Sequence, residues 1–134
     1  MNTQLNRLVV NASAVMASCL GKAGFEKLEA ILTSNVQMLM SAPTWLELGV
    51  VAANRNIQQT VNETLVAYQT RIEPFTHDQA IFAIDAFTQH VKGRYSAELN
   101  FVDCCAYALA KSLNLPLLYK GNDFAQTDIA SALA

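Results

Sequence analysis

The sequence predicts an α/β fold: one domain built on a central, mainly parallel sheet of four to five short strands, with helices on both faces. Three observations carry this. Short apolar runs recur at Leu8–Val10, Val36–Met40, Arg71–Phe75 and Pro116–Tyr119. Segments of helical periodicity separate each from the next. No two-residue hairpin turn joins any of them, so the strands must pair in parallel through crossovers. The 134 residues suit a single domain, 1–134, and contain no repeat, linker or low-complexity tract.

Each element has its own local reason. Leu8-Val9-Val10 is a β-branched run read as a buried first strand, and a helix follows over Ala14–Leu20. Phe25, Leu28, Ile31 and Leu32 have helical spacing, and Val36–Met40 forms the second strand. Ser41-Ala42-Pro43-Thr44 opens the next helix: Pro43 suits its first turn, and Glu47 follows Thr44 by three as in a capping box. Asn54-Arg55-Asn56 ends that helix, and Ile57, Val61, Leu65 and Tyr68 form an i, i+4 stripe on another. Arg71–Phe75 is the third strand, with Pro74 placing its end near the surface. Thr76-His77-Asp78 starts a helix with an apolar face of Ile81, Ile84, Phe87 and Val91. After a polar loop with Gly93, Asn100 caps a helix running to about Leu113, and Pro116–Tyr119 is the fourth strand.

Composition narrows the function classes. Hydrophobic residues make up 52% of the chain, mean hydropathy is +0.21 and only 15% of residues are charged, which suits a fold whose surface is partly covered by a partner. A net charge of −2 gives no global attraction to nucleic acid, so such contact needs a local basic patch or a metal-filled acidic site. Cys19, Cys104 and Cys105 are odd in number, and two are adjacent, which argues against a disulfide scaffold and for reduced thiols in the cytoplasm. No C-x-x-C occurs, and His77 and His90 are remote, so a cysteine metal cluster is not expected. Arg7 to Cys19 loosely imitates a lipoprotein signal, but Asn11 and Ser13 interrupt its apolar stretch. No apolar run reaches the roughly 18 residues a membrane span needs.

Ligands of parallel sheets sit beyond the carboxyl ends of the strands. Four residues fall there: Asn11 after the first strand, Glu47 early in the helix after the second, Asp103 in the first turn of the Asn100-capped helix, and Asp123 after the fourth strand. Singly, each has a plain explanation. Glu47 suits a capping box, Asp103 suits a helix dipole and Asp123 suits a turn. Together, converging carboxylates suit Mg²⁺ or Mn²⁺, because hard cations take oxygen ligands and like charges do not otherwise crowd.

The stretch LNFVDCCAYALAKSLNLPLLYKGNDFAQTDI, residues 99–129, closely resembles the C-terminal half of PIN-domain proteins of the VapC toxin group. SAPTWLEL, ending at Leu48, looks like that family's second motif, with Glu47 as its glutamate, and VVNASAVMASCL looks like its first. KGRYSAELNF also matches, with Tyr95 and Ser96 where a His-Pro pair is common. The resemblance implies a Mg²⁺-dependent endoribonuclease, the toxin of a type II toxin–antitoxin pair, with an RNA substrate and a cognate antitoxin as partners, while the apolar surplus suits a homodimer. Residue by residue it implies Glu47, Asp103 and Asp123 as acidic ligands, with Asp103 the firmest. Ser13 and Asn122 support them, and the metal orients and deprotonates a water that attacks the phosphodiester.

One position departs from the pattern. The family has aspartate where this chain has Asn11, and threonine where it has Ala12. A carboxamide keeps an oxygen donor but loses a full charge, so metal affinity should fall. An inactivating laboratory substitution and natural divergence both stay open at Asn11, and Ala12 beside it gives divergence at least equal weight. A second function class therefore stands beside the nuclease: a catalytically impaired module that only binds antitoxin or RNA. A phosphate-binding signalling domain fits less well, since no glycine-rich loop follows the first strand.

Lys92, Arg94 and Lys120 fall in loops near the expected acidic edge, Arg55 ends the helix that carries Glu47, and each suits RNA phosphates as readily as plain solvated charge. Trp45, Met38 and Met40 suit a dimer or antitoxin-binding groove, although core packing is the commoner role of such residues.

Overall fold

A computed structural model describes residues 6–21, 25–90, 100–121, 124 and 128–132. The elements run β1 (Arg7–Val10), α1 (Ala12–Leu20), α2 (Phe25–Leu32), β2 (Gln37–Ser41), α3 (Ala42–Arg55), α4 (Gln58–Ala67), β3 (Arg71–Glu73), α5 (His77–His90), α6 (Phe101–Leu113) and β4 (Leu117–Leu118). The four strands pair in parallel in the order β3-β2-β1-β4. Beyond β4, Leu117 bridges Ser131, so the returning chain covers that edge.

Strand alternation decides which helices lie on which face. Leu8 and Val10 of β1, Met38 and Met40 of β2 and Leu118 of β4 join one cluster with α1, Leu32, Leu48, Ala52, Val61 and Leu65. Val9, Leu39 and Leu117, one residue out of phase, join Cys104, Tyr107 and Leu109 of α6 in another. Helices α1 to α4 therefore cover one face, and α6, backed by α5, covers the other. The chain steps from β1 to β2 to β3, then crosses back to lay β4 on the other side of β1. Right-handed crossovers place the helices on opposite faces for those opposite directions.

Several local expectations change. The first helix begins at Ala12, because Asn11 is still extended (φ −90°, ψ 158°) and serves as N-cap. The capping box expected at Thr44 and Glu47 does not form: Ser41 is the N-cap, and α3 already includes Ala42 and Pro43. Strand β2 runs straight into the helix and leaves no loop for Thr44 to end. The box appears instead in α6, where Asp103 N–H donates to Asn100 Oδ1 at 2.7 Å and Asn100 N–H donates to Asp103 Oδ2 at 3.1 Å. Met38 and Met40 are core residues, at 1% and 0% exposure, whereas Trp45 is half-exposed. The apolar face of α5 forms as a helix, but Ile81, Ile84 and Phe87 are exposed.

Candidate metal and active site

The reversal of strand order puts a switch point between β1 and β4, where a parallel sheet opens a crevice at its carboxyl edge. Asn11 stands in it. Its backbone N–H donates to Leu118 O at 2.9 Å, which locks the end of β1 to the end of β4. Its side chain is buried, and Nδ2 donates to Ser13 Oγ at 3.0 Å. Ser13 Oγ also accepts Lys120 N–H at 3.0 Å, tying the first turn of α1 to the segment leaving β4. Gly121 follows with φ +98°, a left-handed turn that suits glycine.

Asn11 Oδ1 is buried with no hydrogen-bond partner, and so are Ser41 Oγ and Thr44 Oγ1 at the end of β2 and the start of α3. An unpaired buried acceptor costs about 1–3 kcal/mol. Three such atoms lie at the carboxyl ends of the two central strands, and Gln79 Oε1 in α5 is a fourth. The sequence places Ser41 and Thr44 only at the opening of a helix, with Thr44 and Glu47 spaced as in a capping box.

The acidic residues reach the same edge by two helices. α3 starts directly after β2 and carries Glu47 in its second turn. Burial raises the Glu47 carboxyl above its ordinary range, and its charge helps raise the Cys105 thiol of α6. α6 leads into β4 through Asn114, Leu115 and Pro116 and packs back on β1 and β2, which sets its N-terminus at the carboxyl edge. Asp103 in that first turn is 5% exposed. The cap bond occupies Asp103 Oδ2.

The donor set fits a hard cation in kind: one carboxamide oxygen, carboxylates and hydroxyls. Among the described residues, no three His, Cys, Asp and Glu side chains group closely enough to hold an ion. Asn11 is outside that set by type, and Asp123 and Asn122 lie outside the described residues, as do Lys92, Arg94, Tyr95, Ser96 and Val91. Lys120 is half-buried beside Ser13. Arg55 ends α3 eight residues beyond Glu47, roughly 12 Å along the axis. It therefore lies at the far end of that helix from the crevice.

Comparison with known proteins agrees with this architecture. Residues 8–130 match the PIN domain. Ribonuclease VapC42 of Mycobacterium tuberculosis is 34% identical over 129 residues, covering 93% of this chain and 98% of the relative. Ribonuclease VapC36 of the same organism is 36% identical over 126 residues, covering 91% of each. Among solved structures, M. tuberculosis VapC20, described as a toxin cleaving the sarcin-ricin loop, superposes with a TM-score of 0.72 at 16% identity, covering 93% of this chain and 98% of that one. VapBC2 from Rickettsia felis, bound to a fragment of promoter DNA, gives 0.70 at 13% identity, covering 93% and 96%. With its parallel sheet, its carboxyl-edge crevice and these relatives, the chain belongs to the PIN-domain family, in the VapC group.

Proposed function

We propose that this protein is a divalent-metal-dependent endoribonuclease, the toxin half of a type II toxin–antitoxin pair, which cleaves RNA in the crevice between β1 and β4. One observation carries the reading: the buried, unpartnered Asn11 Oδ1 at the switch point, on the sheet edge to which α3 and α6 bring Glu47 and Asp103. Relatives at 34% and 36% identity that are called ribonucleases support the reaction class.

Asn11, Glu47, Asp103 and Asp123 would hold Mg²⁺ or Mn²⁺. A bound ion supplies Lewis acidity, acidifying water and offsetting charge on the attacked phosphodiester. The chain's own residues do the rest. Ser13 orients the Asn11 amide and holds the Lys120 backbone; Asn122 stands beside Asp123 in sequence. Lys120 just past the end of β4 would hold RNA phosphates, as would Lys92 and Arg94, with Arg55 further along α3.

The antitoxin and a second copy of the chain are the proposed protein partners. Exposed Trp45, Ile81, Ile84 and Phe87 support partner-covered surfaces, as does an apolar cavity of about 340 Å³ between α5 and α6. Unpaired cysteines support the cytoplasm as the compartment, and among the described residues no helix is long and apolar enough to cross a membrane.

Asn11 favours a second reading, a module impaired in catalysis that acts by binding antitoxin or RNA. Cleavage of total RNA with Mg²⁺, with Mn²⁺ and with chelator separates the two. Metal-dependent cleavage that Asp103→Asn abolishes upholds the nuclease, and intact RNA under every condition leaves only the binding module.

A further inference from the structure

We infer that Ser41 is a further oxygen donor to the divalent ion, standing beside Asn11 at the carboxyl edge; the inference rests on the nuclease reading above. Parallel register fixes the neighbourhood. Val9 lies opposite Leu39, and two residues further on the same register sets Asn11 opposite Ser41. Ser41 in turn lies opposite Glu73 of β3. Asn11 is still extended and Ser41 is the last residue of β2, so strand alternation holds at both. Val9 and Leu39 pack on the α6 side, and two residues later Asn11 and Ser41 face that side too. α6 packs there on β1 and β2, with Asp103 buried in its first turn.

The two side chains share a second property. Asn11 is the N-cap of α1 and Ser41 the N-cap of α3. Asparagine and serine are favoured at that position because their oxygen accepts a helix N–H. Neither side chain makes that bond. Asn100, the N-cap of α6, does make it, to the N–H of Asp103. Asn11 Oδ1 and Ser41 Oγ are instead buried, in residues 3% and 0% exposed, with no hydrogen-bond partner.

A buried acceptor without a partner is costly, and two on neighbouring strands call for one group that serves both. A hard divalent ion does so, since it gathers neutral carbonyl and hydroxyl oxygens along with carboxylates. Other residues nearby are engaged or lie elsewhere. Ser13, the other hydroxyl at Asn11, already accepts two N–H groups. Glu73, on the far side of Ser41, is held by Arg71 at 2.7 Å. Thr44 and Gln79 also keep an unpaired buried oxygen, but they belong to the first turns of α3 and α5, outside the strand row. Ser41 is thus the unpaired hydroxyl that strand pairing sets next to Asn11. Where Asn11 brings an oxygen but no charge, Ser41 adds a second neutral oxygen.

Calorimetric titration with Mn²⁺ and with Cd²⁺ decides the matter, on wild type, Ser41→Ala, Ser41→Cys and Asp103→Asn. Ser41→Ala should weaken Mn²⁺ binding about tenfold, the lower end of what losing a metal-site partner costs. Its metal-free unfolding temperature should not fall, because the hydroxyl holds no bond to lose. Ser41→Cys should also bind Mn²⁺ more weakly but gain about tenfold for Cd²⁺ over wild type, since a thiolate selects the softer ion. The three native cysteines are common to both proteins, so only that gain counts. A hydroxyl that held nothing but a buried water would show no Cd²⁺ gain. If Ser41→Cys does not fold, the two readings on Ser41→Ala decide alone. Mn²⁺ affinity unchanged in Ser41→Ala, or Cd²⁺ affinity unchanged in folded Ser41→Cys, overturns the role of Ser41. The nuclease reading then stands if Asp103→Asn still weakens Mn²⁺ binding. A wild type that binds no Mn²⁺ overturns both.

Discussion

Asn11 and Ser13 are joined by a 3.0 Å hydrogen bond in which the amide nitrogen donates, while Ser13 Oγ also accepts the Lys120 N–H. The hydroxyl thus spends both acceptor positions, and Asn11 is left with its carbonyl oxygen buried and unpaired. An aspartate at this position would invert the bond, since a carboxylate only accepts and Ser13 would turn its hydrogen to it.

Asn11→Asp should therefore fold with Ser13 reoriented, add a charge to the crevice and tighten Mn²⁺ binding by about tenfold or more. Without metal the added charge lies near Asp103 and should lower the unfolding temperature; Mn²⁺ should recover it. RNA cleavage should rise in parallel. Adding Asp103→Asn should remove the gain, because the proposed site has both groups serve one ion. Calorimetric titration and thermal unfolding with and without Mn²⁺ check this, and an Asn11→Asp protein with unaltered metal affinity would remove Asn11 from the site.

The three cysteines should remain reduced and react unequally. Burial, with Cys105 and Asp103 nearby, pushes the Cys104 thiol up to about 11. At pH 8 its thiolate is then roughly one part in a thousand. Cys105 is raised by burial and by Glu47. Cys19 is half-buried, its thiol donating weakly to Thr64 Oγ1 at 3.4 Å. Iodoacetamide followed by mass spectrometry should find Cys19 labelled in native protein and all three labelled after denaturation. Rapid native labelling of Cys104 would contradict the packing of α6.

Acid should weaken the contact of Asp128 with Tyr107 and Lys111. Asp128 is held below its ordinary value of 3.8, so its contribution is complete above that value and disappears as pH falls through the lower folded value. The stability difference between wild type and Asp128→Asn should be constant from about pH 5 to 8 and shrink as pH falls below the ordinary carboxylate range. Urea denaturation across that range measures it. A difference that grows on acidification would have the wrong sign for this carboxylate.

Asn100→Ala should cost about 1 kcal/mol by opening the reciprocal cap of α6. Phe124→Ala should cost about 3–5 kcal/mol, since the ring is fully buried beside Tyr119. Chemical denaturation of the two variants separates them. Equal losses would mean that the segment bearing Phe124 is not part of the cooperative core.

Local sequence determined much of this protein. The β-branched run Leu8–Val10 could only be a buried strand, and the Asn100-x-x-Asp103 spacing could only begin a helix well, because both depend on neighbours a few residues away. The crossover pattern, and with it the carboxyl-edge location of Asn11, Glu47 and Asp103, followed from the lack of hairpin turns. Tertiary structure decided what periodicity does not encode. Ile81, Ile84 and Phe87 make a helical stripe whether or not another element covers it, and here they are exposed. Thr44 has cap chemistry, yet β2 continues through Ser41 and takes the cap position first. Ser13 meets Lys120 across 107 residues, and Tyr107 meets Asp128 across 21. Such pairings come from strand order and helix packing, so no local pattern in the chain announces them.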